Sequence, residues 1–242
     1  KLERPQCIWA LRTVRFAIVR QLFWRFLHWT SSFLYGILAL PPGVILLKRG
    51  SIMRSIGLLI LALFYAVYIG KMILQSKKGI QTDQMAKGKE NTKVFYIELI
   101  MKIATYSVVV VEILCLFFVS PQLPRIFMIT GAILGFAGDI LFAVSVITMK
   151  DSWRAGIAEN DKTEMITGGI YSVSRNPAFL AFDCVYVGLL LMFFHWVLLV
   201  FSAFAMTMLH LQILQEEQFL LKAFGSEYRS YTNKVRRYLG RK

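Results

Sequence analysis

The sequence predicts an all-α fold: a polytopic transmembrane helix bundle of five to six spans, with a C-terminal membrane hairpin and a cytosolic helical tail. Three observations predict it. The chain of 242 residues is 57% hydrophobic and only 17% charged, whereas a soluble domain carries nearer a quarter charged residues. Mean hydropathy is +0.57, more apolar surface than a chain of this length can hide from water. The apolar residues are also gathered into windows about as long as a hydrocarbon crossing, roughly 20 residues. Together these exclude an ordinary soluble globule and a disordered chain. Three widely spaced cysteines, Cys7, Cys115 and Cys184, with no C-x-x-C, exclude a disulfide scaffold and a cysteine zinc site.

The windows follow in order. Residues 1–29 alternate arginine with Trp, Phe and Leu, which suits a helix lying in the headgroup layer; a short extra span with snorkelling arginines is the alternative. Arg12, Arg15, Arg20 and Arg25 interrupt any signal-peptide pattern. The first span runs from about Ser31 to Leu47. Pro41-Pro42-Gly43 breaks its hydrogen-bond ladder, so it is expected to kink or re-enter. The second window, Ser55–Leu74, is unbroken. The third is Val94–Val119 and the fourth Ile126–Met149. Ala178–Phe194 and Trp196–Leu214 form the last pair, joined by a minimal turn at His195. So short a connection makes antiparallel neighbours.

Basic residues set the orientation. With six spans, the N-terminal stretch, the 75–93 and 150–177 loops and the tail share one side. They hold 22 Lys and Arg, against 4 on the opposite side. Positive charge stays inside, so both termini and both long loops are expected in the cytosol, in a bacterial inner membrane. The net charge of +14 is thus a topology signal, and nucleic acid is not an expected partner.

Two polar segments carry the chemistry. In Thr167–Leu180, Gly168 and Gly169 permit tight turns, Tyr171 brings an aromatic face and a hydroxyl, and Arg175 a five-donor fork. Pro177 suits the first turn of the fifth span, where its missing N–H costs nothing. Read blandly, this is a loop anchoring a helix start, with Arg175 on lipid phosphate. In the second segment, Gln215–Tyr231, the sixth span emerges into water. Because spans five and six form a hairpin, Glu216 and Glu217 return to the face where Arg175 and Asn176 begin. Read blandly, these are solvated charges at a helix end, worth about 0–1 kcal/mol as a surface pair. Phe224-Gly225 reads as a helix stop. Asp139 and Asp183 lie in mid-window and must face protein or a wet cavity. Gly131, Gly135 and Gly138 make a small-residue face beside Asp139, for which a structural hydrogen bond is expected. Glu98 and Lys102, four apart, are expected to pair. His28, His195 and His210 are scattered, and no metal site is expected. There is no G-x-S-x-G, H-E-x-x-H, Walker loop or G-x-G-x-x-G.

The run Gly169-Ile170-Tyr171-x-x-x-Arg175-Asn176-Pro177-x-Phe179 is followed, after a helical hairpin, by Glu216-Glu217-x-x-Leu220. Then come Phe224-Gly225-x-Glu227-Tyr228-x-x-Tyr231 and Val235-x-Arg237. In order and spacing this resembles the isoprenylcysteine carboxyl methyltransferase family and the related phospholipid methyltransferases. Asn176 stands where that family has histidine, and Phe179 where it has tyrosine. The resemblance covers about the last 95 residues. It divides the chain into 1–125, an interfacial helix and membrane spans, and 126–242, a methyltransferase-like catalytic region. It implies S-adenosylmethionine as cofactor, bound by Gly169, Ile170, Tyr171, Arg175, Asn176, Pro177, Glu216 and Glu217, with Arg175 and Glu217 catalytic. It also implies a lipophilic acceptor, such as an isoprenylcysteine-like carboxylate, entering from the membrane. Methyl transfer to a carboxylate needs no general base, only alignment, which can supply about 7–11 kcal/mol. Two other classes stay open: an NADPH-dependent membrane sterol-type reductase, whose tail is similar, and a non-enzymatic transporter or assembly protein.

Overall fold

The structure, a computed structural model, describes residues 51–87, 92–157 and 164–242. All of these belong to one compact unit, Lys48–Lys242. The expectations for residues 1–29 and for the proline-broken span 31–47 lie outside the described residues.

Five helices carry the architecture: α1 (Ser51–Lys77), α2 (Lys93–Phe118), α3 (Arg125–Met149), α4 (Pro177–Met192) and α5 (Trp196–Lys234). The described residues include no strand, only isolated bridges. Among the described residues four helices are long and apolar enough to cross a membrane, and α4 is a shorter apolar helix. The chain is an integral membrane protein. Its outer surface shows why: Ile69, Val110, Phe117, Ile133, Ile140 and Ile147 are among many large apolar side chains exposed, which only lipid can cover.

Local signals start the helices. Thr92 accepts from the Phe95 amide, and His195 accepts through Nδ1 from the Val197 amide, turning α4 into α5. Pro177 occupies the first turn of α4. α5 would be about 44 Å long up to Phe224 at 1.5 Å per residue, well beyond the roughly 30 Å of hydrocarbon, so its C-terminal part projects. The expected stop at Phe224-Gly225 takes the form of a kink between two helical segments. Gly225 has φ 53° and ψ −119°, and the helix resumes to Lys234.

The glycine face works as expected. A Cβ on Gly131 would stand 2.4 Å from the Gly188 carbonyl oxygen, and one on Gly188 would stand 2.7 Å from that of Gly131. α3 and α4 thus touch backbone to backbone and make the most extensive contact among the described helices, while α2 packs chiefly on α5. The two arms of the hairpin meet each other less than they meet these other partners. Phe64, Phe142 and Phe182 fill the space between α1, α3 and α4, with centroids 4.4 and 4.7 Å from Phe64.

Two sequence expectations are corrected. Asp139 is buried, yet neither carboxylate oxygen has a hydrogen-bond partner among the described residues; the same holds for Glu112. Glu98 does not pair with Lys102. Lys102 reaches Asp83 at 2.8 Å, while Glu98, fully buried, accepts from the backbone amides of Ala86 and Ile157, each at 2.9 Å. Buried loop N–H groups need acceptors more than an exposed pair needs its Coulomb energy. Glu98 therefore fastens two loops at one end of the bundle. Gln75 joins them by donating to the Trp153 carbonyl at 3.0 Å and accepting from the Thr82 hydroxyl at 2.7 Å.

Burial pushes the Asp83 carboxyl up, but the Lys102 contact and the Met85 amide outweigh it, and the net shift is downward from 3.8. A carboxylate with a lowered folded pKa stabilises the fold above its unfolded value and loses that effect as pH falls. Asp83→Asn is thus expected to lower the thermal midpoint at neutral pH. The gap from the unsubstituted protein should close as the pH is taken below 3.8, measured by thermal unfolding in detergent.

Candidate functional site

The two loops and the start of α4 meet the projecting part of α5 at the same end of the bundle. A single 3-10 turn, Gly169–Ser172, leads into the corner Ser174-Arg175-Asn176-Pro177. Gly169 has φ 59°, which favours glycine, and a Cβ there would stand 3.0 Å from Thr148 Cγ2 at the end of α3. It therefore lets the turn sit against α3.

The corner is held from above by the last eight residues of the chain. Val235 and Arg241 bridge. The Arg175 amide donates to the Arg236 carbonyl at 3.2 Å, and the Gly240 amide to the Val173 carbonyl at 2.8 Å. Asn176 Nδ2 donates to the Arg237 carbonyl at 3.1 Å, and the Tyr231 hydroxyl to the Tyr171 carbonyl at 2.6 Å. Tyr238 hydrogen-bonds His210 on α5. This terminal strap was missed in the sequence. Its only trace there is the Val235-x-Arg237 pattern.

Beneath the strap lies an ionic clamp. Arg175 Nη2 meets Glu217 Oε1 at 2.7 Å, and Arg237 Nη2 meets Glu217 Oε2 at 2.7 Å. The hydrogen bond to Glu217 raises the Arg237 pKa further. Arg175 keeps only 9% of its side chain exposed and Glu217 14%. The hairpin has brought together residues 42 positions apart in sequence, as the return of span six requires.

Two adjoining cavities open here. The larger, 320 Å³, is apolar and lies among α1–α5; its walls include Tyr65, Tyr68, Met101, Phe142 and Phe182. The smaller, 140 Å³, is more polar and lies under the corner, lined by Tyr171, Arg175, Asn176, Pro177, Tyr228 and Tyr231. Trp153, Arg154, Ala178, Phe179 and Glu216 line both. Together the cavities reach the 300–1,000 Å³ usual for a ligand site. Burial lifts Tyr231 to about 12, and Tyr171 and Tyr228 higher still. All three therefore present neutral hydroxyls and ring faces at physiological pH.

The structure thus gathers Tyr171, Arg175, Asn176, Pro177 and Glu216 around one cavity. Gly169 and Ile170 do not line it, and Glu217 faces a separate groove on the far side of Arg175. Glu216 accepts from Gln212 Nε2 at 3.1 Å. Trp153 and Arg154 stand where the two cavities meet. Arg154 Nη1 donates to the carbonyls of Asp151 and Trp153, at 2.6 and 2.9 Å, which fixes its guanidinium at the junction. Among the described residues no three metal-ligating side chains come together.

The residues fit S-adenosylmethionine by donor type. Arg175 is buried with its Nε unpartnered among the described residues, and its fork matches a carboxylate. Glu216 supplies an acceptor for hydroxyl or ammonium groups. The tyrosines, Phe179 and Trp153 offer π-faces to a sulfonium or an adenine ring. Residues 126–227 match a protein-family model described as phospholipid methyltransferase. Comparison with curated proteins gives no match.

Proposed function

We propose, from the premise that residues 126–227 belong to the phospholipid methyltransferase family, that this membrane methyltransferase transfers a methyl group from S-adenosylmethionine to a lipophilic acceptor. The observation that carries this reading is the pair of cavities sharing Arg154, Phe179 and Glu216: one polar and under the loops, the other apolar and inside the bundle. The cofactor, when bound, would supply a methyl group on a positively charged sulfur, which would keep the electron pair of the broken carbon–sulfur bond and leave as a neutral thioether. Arg175, Asn176, Tyr171 and Glu216 hold its polar groups, with Pro177 shaping the wall. Glu217 acts as a positioning residue through Arg175. The strap and the tyrosines keep water out of the polar cavity, which strengthens the electrostatic contacts inside it. The acceptor tail lies among Tyr65, Tyr68, Phe142 and Phe182, and its reactive end reaches the junction. The charge bias of the loops favours the cytosolic side for the polar cavity.

At the junction Arg154 would hold an acceptor carboxylate, which attacks without giving up a proton. This favours an isoprenylcysteine-like acid. A lipid amine is the second reading, favoured by Glu216 at the same junction and by the aromatic walls; an amine must lose a proton, and a carboxylate is there to take it. Methyl-labelled cofactor separates the two. An ester releases its label as methanol in alkali, whereas a methylated amine keeps it.

Purified protein is expected to bind S-adenosylmethionine saturably and NADPH not at all. Glu216→Gln should weaken cofactor binding about tenfold or more, the scale of one charge-assisted contact of about 1.5–3 kcal/mol. NADPH binding without S-adenosylmethionine binding would instead support a reductase, and binding of neither a non-enzymatic protein.

A further inference from the structure

A third concavity lies on the other side of Arg175, between α5 and the terminal strap. It encloses 410 Å³, and its walls carry Arg175, Arg229, Arg237 and Lys242 against the single carboxylate of Glu217. Glu217 is already shared by Arg175 and Arg237. Arg229 and Lys242, both exposed, have no ion-pair partner among the described residues. Arg175, nine-tenths buried, lines the groove as well. The groove therefore holds an excess of positive charge that the chain does not neutralise.

Its place relative to the bilayer is set by α5. The apolar window of that helix ends at Leu214, which lines the groove, as does Leu221, 41% exposed and one turn beyond Glu217. Leucines and unneutralised cations in one lining, near where a spanning helix leaves hydrocarbon, match a phospholipid with a net negative headgroup. The phosphate would meet Arg229, Arg237 and Lys242 by charge-assisted bonds, and the acyl chain would continue along Leu214. A zwitterionic headgroup would bring its own cation against these cations. A free anion would gain nothing from the leucines.

We propose that the groove between α5 and the strap binds the headgroup of an anionic phospholipid, separately from the methyl-transfer cavities. The test uses full-length protein in a neutral detergent, followed by thermal unfolding with dihexanoyl phosphatidylglycerol, dihexanoyl phosphatidylcholine or inorganic phosphate at matched ionic strength. The anionic lipid should raise the midpoint saturably, and the other two should not. The double variant Arg229→Gln, Lys242→Gln should unfold near the original midpoint without lipid, since neither side chain is buried. It should need at least about tenfold more anionic lipid for the same rise, having lost two cationic contacts. The charge-conserving Arg229→Lys should keep the response. An equal rise with phosphatidylcholine, an equal rise with phosphate, or an unchanged response in the double variant would each overturn the lipid site.

Discussion

Gly188→Val is expected to leave little folded protein, with a loss of about 3 kcal/mol at the upper end of the range for overpacking. Two effects oppose each other at this position. Replacing a helical glycine by alanine gains about 0.5–1 kcal/mol, and β-branched valine gains less. The added Cβ, however, would stand 2.7 Å from the Gly131 carbonyl oxygen and 2.8 Å from the Gly135 amide nitrogen. Those atoms belong to the backbone of α3 and cannot turn aside as a side chain could. Relief requires α3 and α4 to part, which would loosen the aromatic contacts of Phe142 with Phe182 and Phe64. The control is Gly70→Ala on α1, where a Cβ meets nothing within 4 Å. That variant should show only the propensity gain. Thermal unfolding and monodisperse yield in detergent compare the two, and equal behaviour would mean that α3 and α4 do not meet through these glycines.

Glu217→Ala is the second large effect. It leaves the Arg175 guanidinium, 9% exposed, without the carboxylate that neutralises it. Breaking a buried pair by removing one member costs about 3–5 kcal/mol, because the surviving charge stays desolvated. Arg237→Ala removes the other arginine, which is 36% exposed; water compensates it, and the loss should be about 1 kcal/mol or less. The double variant Arg175→Met, Glu217→Leu removes both buried charges and should regain much of the lost stability. It should not regain S-adenosylmethionine binding, since Arg175 lines the polar cavity. Stability and affinity thus separate the clamp from the binding contact. Recovery of both in the double variant would show that Arg175 serves the fold alone.

The sequence was informative wherever one residue type has one physical use. Among the described residues the apolar windows became helices within a few residues of their expected ends, except that α5 continues past Leu214 to Lys234. His195 became the turn, Pro177 the first turn of α4, and Gly131 a point of backbone contact. The nearness of Arg175 to the two glutamates also followed, because a hairpin must return its second arm to where its first began.

Partner choice did not follow. In water a helix shows its partner through an apolar stripe. In lipid every face is apolar and the stripe disappears, so close approach at small residues decides. That is why the main pairings, α3 with α4 and α2 with α5, were not visible along the chain. The same limit hid Glu98. Local spacing offered Lys102 four residues away, while the tertiary structure offered buried loop amides 12 and 59 residues distant. It also hid the strap, whose hold on the corner consists of backbone bonds that any residues could make. The sequence by itself determined that this chain crosses a membrane as helices and returns two acids to an arginine–proline corner, because length, apolarity and turn chemistry are local properties. Only the tertiary structure decided that one acid clamps and the other lines a cavity, because facing inward or outward at that corner depends on contacts between segments far apart in the chain.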